Sequence, residues 1–124
     1  MRDVWSLPAI GKWEKTFGKH PTQKPISLLV RVILASTREM EWVLDPFAGS
    51  CTTGIAARLL HRRFFGIDQS EDFLALGKKR FNESETLAFR AKASRRVADL
   101  QNLPQTHYVC DSEVDGYEAT PFLN

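Results

Sequence analysis

The sequence predicts an α/β fold built on a parallel sheet that is incomplete within the chain, on three observations. Two short apolar runs, "EWVLDPF" and "RFFGID", each close on an acid and are each followed by a segment of helical periodicity. Strand, helix, strand, helix at this spacing is the unit of a parallel sheet, and no internal repeat competes with it. Two strands are fewer than the four or more that a parallel sheet with helices on both faces usually has, so the chain reads as part of a sheet.

The elements follow in order. Residues 1–25 hold Pro8, Pro21 and Pro25 with several basic and aromatic residues, and read as an irregular segment. "ISLLVRVILAST" repeats apolar residues at helical spacing, with Pro25 suited to a first turn, which predicts a helix from about Pro25 to Ser36. "EWVLDPF" is nearly continuous in apolar residues and suits a strand buried on both faces. "TTGIAARLLHRR" predicts the next helix, with Thr52 or Ser50 available as its cap. "RFFGID" reads as a second buried strand, and "SEDFLALGKKRFNES" as a helix opened by Ser70 and acids in its first turn. "SETLAFRAKASRRVADL" extends or restarts that helix, and beyond Leu103 the polar, acidic sequence is expected to form a loosely ordered tail.

At 124 residues, 43% hydrophobic and 26% charged, the chain has the composition of one soluble globular domain. No apolar run is long enough to span a membrane, and "MRDVWSLPAIGK" lacks the apolar stretch of a secretory signal, so the expected location is cytoplasmic. Cys51 and Cys110 stand far apart without CxxC or CxxH company, which disfavours a structural zinc site and a disulfide framework; no metal is expected. Cys51 reads as a small buried residue in preference to a reactive thiol. The basic clusters "GKWEKTFGKHPTQK", "RLLHRR", "GKKR" and "RAKASRR" read first as solvated surface and second as a polyanion-facing surface, at a net charge of only +2.

The chemistry concentrates in "VLDPFAGSCTTGIAA". Open α/β sheets bind ligands beyond the carboxyl ends of their strands, where strand order reverses. Gly49 lets the backbone approach a ligand, while Ser50, Thr52 and Thr53 offer hydroxyls and N–H groups at a helix start. Asp68 closes the second strand roughly 20 residues on, where nucleotide-binding sheets place a ribose-binding acid; its alternative is a helix N-terminal acid. "GSCTTG" has neither the glycines of a dinucleotide fingerprint nor the lysine of a phosphate loop, which favours a ligand with a ribose and no phosphate.

"GKHPTQKPISLLVRVILAST", "VLDPFAGSCTTGIAA" and "RRFFGIDQSEDFLALGKKR", in this order, resemble the C-terminal half of the bacterial amino-methyltransferases that modify adenine N6 or cytosine N4 in DNA. The closer resemblance is to the permuted class, in which the catalytic motif comes first and the S-adenosylmethionine motifs last. The resemblance covers about Met1 to Arg80 and implies a partial Rossmann-like, S-adenosylmethionine-dependent methyltransferase sheet, with residues 1–82 as the cofactor-binding part and 83–124 as a helical extension and tail. It implies cofactor contacts from His20, Thr22, Gln23 and Lys24, with Lys24 meeting the methionine carboxylate. It also implies them from Asp45, Pro46, Phe47, Gly49, Ser50 and Thr52 of the D-P-F-x-G-S-G-T-T turn, Asp45 facing the cofactor amino group, and from Asp68 at the ribose. A core position is the alternative for Phe47.

Two departures from the family pattern stand out. Cys51 replaces the usual second glycine, and at positive φ a side chain there costs about 1–2 kcal/mol. No [DNS]-P-P-[YFW] occurs, the motif whose amide or carboxylate and carbonyl accept the amine hydrogen bonds of a flipped base while its ring stacks on it. In the permuted class that motif lies upstream, so no catalytic residue is assigned within this chain. The chain accordingly reads as the cofactor part of a site-specific DNA methyltransferase, adenine N6 ahead of cytosine N4. DNA is engaged through the complete enzyme, and the catalytic motif comes from a missing segment or a partner chain. A non-catalytic remnant and, more distantly, a nicotinamide-dependent oxidoreductase fragment are the alternatives.

Overall fold

The computed structural model describes residues 4–18 and 20–103, and the backbone of 122–123. A 3-10 turn, Lys12–Lys15, precedes α1 (Ile26–Ser36), β1 (Trp42–Asp45), α2 (Thr52–Leu59), β2 (Arg63–Ile67), α3 (Glu71–Glu83), α4 (Leu87–Arg96), α5 (Ala98–Gln101) and β3 (Phe122–Leu123). The sheet runs β1-β2-β3 and both pairings are parallel.

The helices form where periodicity and end signals agree. α1 buries Ile26, Val30 and Ile33, one stripe of the helix, and packs that side on α2, whose Ile55, Ala56 and Ala57 are buried. Pro25 stands as its N-cap, one position before the first turn. Ser70 caps α3 by accepting the Phe73 N–H, and Thr86 caps α4 by accepting that of Phe89. Phe64 of β2 meets Phe81 of α3 with ring centroids 5.9 Å apart, joining sheet and helix in the core. α5 is held to α1 by the Arg31–Asp99 ion pair at 3.0 Å.

Two expectations are corrected. β1 is not buried on both faces: Val43, opposite Phe64, packs on the core, whereas Trp42 and Leu44 point the other way and are 59% and 63% exposed. Among the described residues no helix covers that second face, and the outer edge of β1 has no strand partner. Nor does the strand order reverse beside β1 within the described residues. Of the tail expected beyond Leu103, residues 104–121 and 124 lie outside the described residues, and Phe122 and Leu123 pair with Gly66 and Ile67 as a two-residue strand.

Candidate functional site

A cavity of about 100 Å³ opens at the carboxyl end of β1, where the chain turns into α2, smaller than the roughly 300–1,000 Å³ of complete small-molecule sites. One wall is the arm before α1, with His20, Thr22, Gln23 and Lys24; Leu29 of α1 lies behind it. The other is the turn Asp45–Ser50 and the first residues of α2, Thr52 and Thr53. Of the eleven residues expected at a site, nine line this cavity; Pro46 and Asp68 do not.

The turn is built to hold an open backbone. Asp45 closes β1 and accepts twice: from the Phe47 N–H at 3.0 Å through Oδ1, and from the Thr53 hydroxyl at 2.6 Å through Oδ2. Gly49 has φ of +49°, and a Cβ there would stand 3.1 Å from His20 Nε2, so glycine lets the arm and the turn close on each other. His20 packs on Phe73 of α3 at 4.1 Å between centroids with the rings tilted by 57°, and the Thr22 N–H donates to its Nδ1 at 3.2 Å.

Three anchors fix the turn from behind. The Ala48 N–H donates to the Ile67 carbonyl at 2.8 Å. Asp68 accepts the Gly49 N–H at 2.8 Å through Oδ2 and the Ser70 N–H at 2.8 Å through Oδ1. Arg80, only 4% exposed, donates from one guanidinium nitrogen to the Ser50 carbonyl and to Thr52 Oγ1. Burial lowers the Arg80 pKa from the arginine value.

Gln23 is buried and its Nε2 donates to the Glu14 carbonyl at 2.9 Å; its Oε1 is buried without a hydrogen-bond partner. The cavity is thus lined by Gln23, whose Oε1 is buried, and by hydroxyls, a helix N-terminus without a side-chain cap, the Asp45 carboxylate and the Lys24 side chain.

With these features in place, comparison with known proteins is decisive: the model of the DNA methylase family matches residues 1–79. The chain belongs to the DNA methylase family. It is 58% identical over 102 residues to the type II methyltransferase M2.MboI of Moraxella bovis, covering 80% of this chain and 37% of that protein. To the type II methyltransferase M2.DpnII of Streptococcus pneumoniae it is 54% identical over 87 residues, 69% of this chain and 32% of that one. The DNA adenine methyltransferase YhdJ of Escherichia coli (strain K12) is 36% identical over 113 residues, 91% of this chain and 38% of that one. Among solved structures, the crystal structure of the M1.HpyAVI-SAM complex matches at 42% identity and a TM-score of 0.54, over 61% of this chain and 36% of that chain. The methylase chain therefore carries a partial Rossmann-like sheet and spans about a third of the length of these relatives.

Against the family's turn, Cys51 is the departure that the structure explains best. It is the N-cap of α2 at φ 62° and ψ 30°, the left-handed region, and supplies no side-chain cap. The cap expected from Ser50 or Thr52 is absent, because the turn continues one residue past Ser50 before helical geometry begins, and Thr52 is already helical. The thiol is fully buried, and burial pushes its pKa up to about 12, so the methylase turn holds an inert sulfur. A Cβ on Gly54 would overlap Cys51 Sγ at 2.5 Å, and one on Gly77 would lie 3.1 Å from both Cys51 Cβ and the Gly49 carbonyl. The sulfur thus fills space between α2 and α3.

Phe47 is 83% exposed at the cavity rim, which removes its alternative as a core aromatic. The sequence reading named Thr53 only as a hydroxyl at the helix start, whereas it braces Asp45, and it missed the two buried charges Glu14 and Arg80. Arg80 sits in "GKKR", taken for surface; Arg58 and Arg62 of "RLLHRR" are also engaged internally, on the Phe81 and Thr37 carbonyls at 2.8 Å each. Among the described residues no group of three or more His, Cys, Asp or Glu is placed to hold a metal ion, and no helix is long and apolar enough to cross a membrane.

Proposed function

We propose that this chain is the cofactor-binding part of a site-specific, S-adenosylmethionine-dependent DNA methyltransferase acting on adenine N6. The observation that carries the reading is the pairing of opposite charges across one cavity. Lys24 stands on the arm and Asp45 on the turn, beside the N-terminus of α2 and the unpartnered Oε1 of Gln23. A zwitterionic amino-acid end finds there an ammonium and a helix N-terminus for its carboxylate, and a carboxylate and an amide oxygen for its amino group.

S-adenosylmethionine supplies a sulfonium methyl for direct transfer to an amine. The residues of this chain bind and orient it: His20, Thr22, Gln23 and Lys24 from the arm; Asp45, Phe47, Gly49, Ser50 and Thr52 from the turn, in which Pro46 stands between Asp45 and Phe47 without lining the cavity. Asp68 acts first on the turn, through Gly49, and keeps lone pairs for a ribose hydroxyl. Adenine is favoured over cytosine because the Escherichia coli relative is named a DNA adenine methyltransferase. The relatives are bacterial, and the bacterial cytoplasm is the location that fits.

The amine-binding Pro-Pro motif comes from polypeptide outside these 124 residues, on the same chain or on a partner. Among the described residues the outer edge of β1 has no strand partner and no helix covers Trp42 and Leu44, which supports this, since a parallel sheet is stable with both faces covered. Calorimetric titration of the purified chain tests the pocket. Saturable binding of S-adenosylmethionine with none of NAD is the expected result, and binding of NAD alone would sink the reading. Mixing with a separately expressed chain carrying Asp-Pro-Pro-Tyr should restore transfer of labelled methyl groups to DNA, whereas the chain alone should give none.

A further inference from the structure

Glu14 is a buried carboxylate in the 3-10 turn at the start of the chain, 7% exposed, and it makes three hydrogen bonds at once. Its Oε2 accepts the Ile26 N–H at 2.9 Å, its Oε1 accepts the Gly11 N–H at 3.2 Å, and its main-chain carbonyl accepts Gln23 Nε2 at 2.9 Å. Ile26 is the first residue of α1, and the N-cap Pro25 makes no side-chain cap hydrogen bond. Glu14 therefore caps α1 from a distance in sequence, with its negative charge at the positive end of the helix.

The consequence lies between those contacts. The segment from Glu14 to Ile26 is clamped into a loop, and that loop carries His20, Thr22, Gln23 and Lys24 into the cavity wall. Because Nε2 of Gln23 is committed to the Glu14 carbonyl, the amide cannot turn over, and Oε1 is left as a buried acceptor with no partner. An acceptor held in this state is ready for a donor on a ligand.

We infer that Glu14 is a positioning residue: its carboxylate, tied to Gly11 and Ile26, fixes where its own main-chain carbonyl meets Gln23 Nε2, and so sets the part of the cavity that reads the amino group of the ligand's amino-acid end. This rests on the cofactor reading of the pocket, and it assigns to Glu14 a task separate from general stability. A residue that only stabilised the fold would weaken every ligand of the cavity alike. One that positions Gln23 weakens only ligands with the amino-acid end.

The test compares two probes by calorimetry on the full chain: S-adenosylmethionine, and 5′-methylthioadenosine, which keeps the nucleoside and lacks the amino-acid end. Glu14→Gln and Gln23→Met are the variants; the second removes the acceptor without touching the α1 cap, so it serves if the first folds poorly. Both should bind S-adenosylmethionine about tenfold more weakly, the size of one hydrogen bond to a charged donor, with affinity for methylthioadenosine within about twofold of the original. Equal losses for the two probes, or no loss for either, would overturn the inference while leaving the pocket reading intact. Absence of S-adenosylmethionine binding to the unmodified chain would instead overturn the pocket reading and this inference together.

Discussion

Asp68 Oδ2 accepts the backbone N–H of Gly49 at 2.8 Å, tying the end of β2 to the turn that follows β1. Its other oxygen accepts the Ser70 N–H ahead of α3, so one carboxylate joins two strand ends and a helix start. Asp68→Ala strips acceptors from two backbone donors and should lower the unfolding free energy by about 1–3 kcal/mol. It should also weaken S-adenosylmethionine binding by about 1–3 kcal/mol, through the loosened turn and the lost ribose acceptor. Denaturant melts and calorimetry measure the two effects separately. Lost affinity with an unchanged melt would make Asp68 a ligand contact alone, and a changed melt with intact affinity would make it a helix acid alone.

Arg80 makes a complementary case from the core side. Its guanidinium holds the Ser50 carbonyl and the Thr52 hydroxyl, and Arg80→Met keeps most of the apolar volume while removing the donor to both. A stability loss of about 1–3 kcal/mol is expected. Arg80→Lys should recover part of it, since the ammonium keeps the charge and its N–H donors but sits on a side chain about one bond shorter than that of arginine. A lysine variant no better than methionine would show that the reach of the terminal nitrogen, not the charge, is what the turn requires.

These two residues also show what the sequence made legible. α1, β1, α2, β2 and α3 follow from local signals: apolar periodicity, Asp-Pro after β1 and Ser70 before α3. The cavity lining followed from the resemblance, with nine of the expected residues in place. What escaped was non-local. Glu14 and Arg80 look like surface charges in their own segments, and only the folded chain brings Ile26 to the first and Ser50 to the second. β3 is two residues long and carries no period to detect, and the exposure of Trp42 and Leu44 depends on what is absent from one sheet face. Cys51 as N-cap was hidden because serine and threonine flank it, and propensity favours either over cysteine.

Cys51 gives a prediction in which two effects compete. Its left-handed backbone costs about 1–2 kcal/mol relative to glycine, while its buried side chain contributes on the order of 1 kcal/mol of packing. Cys51→Ala keeps the strain and loses the sulfur; Cys51→Gly loses the whole side chain but also the strain. The glycine variant should therefore be at least as stable as the alanine variant, against the usual order in a folded protein. An alanine variant more stable by 1 kcal/mol or more would show that the turn relaxes around Cys51 without strain.

The same thiol predicts a pH dependence. Its pKa is about 12 in the folded chain against an ordinary 9.0, so below about pH 9 both folded and unfolded thiols are protonated and the group's stabilising contribution is fully present. Above that, the unfolded chain loses a proton that the folded chain keeps, and the contribution falls by roughly 1.4 kcal/mol per pH unit towards pH 12. Cys51→Ala should lack this slope, so the difference between the two alkaline melting profiles isolates it. Parallel profiles from pH 9 to 11 would mean that solvent reaches the sulfur in the folded state.

Phe47 separates binding from folding more cleanly than any other cavity residue, because it is 83% exposed while lying on the rim. Its ring does little for the core, and only its N–H, which donates to Asp45, belongs to the turn's own hydrogen bonding. Phe47→Ala keeps that N–H and should leave the melting profile unchanged, since surface substitutions usually fall within about 0.5 kcal/mol. Affinity for S-adenosylmethionine should drop by about 0.5–1.5 kcal/mol, the range for an aromatic contact with a flat ligand. The loss should persist with methylthioadenosine if the ring covers the nucleoside, and vanish if it covers the amino-acid end. Unchanged affinity for both probes would remove Phe47 from the ligand contacts.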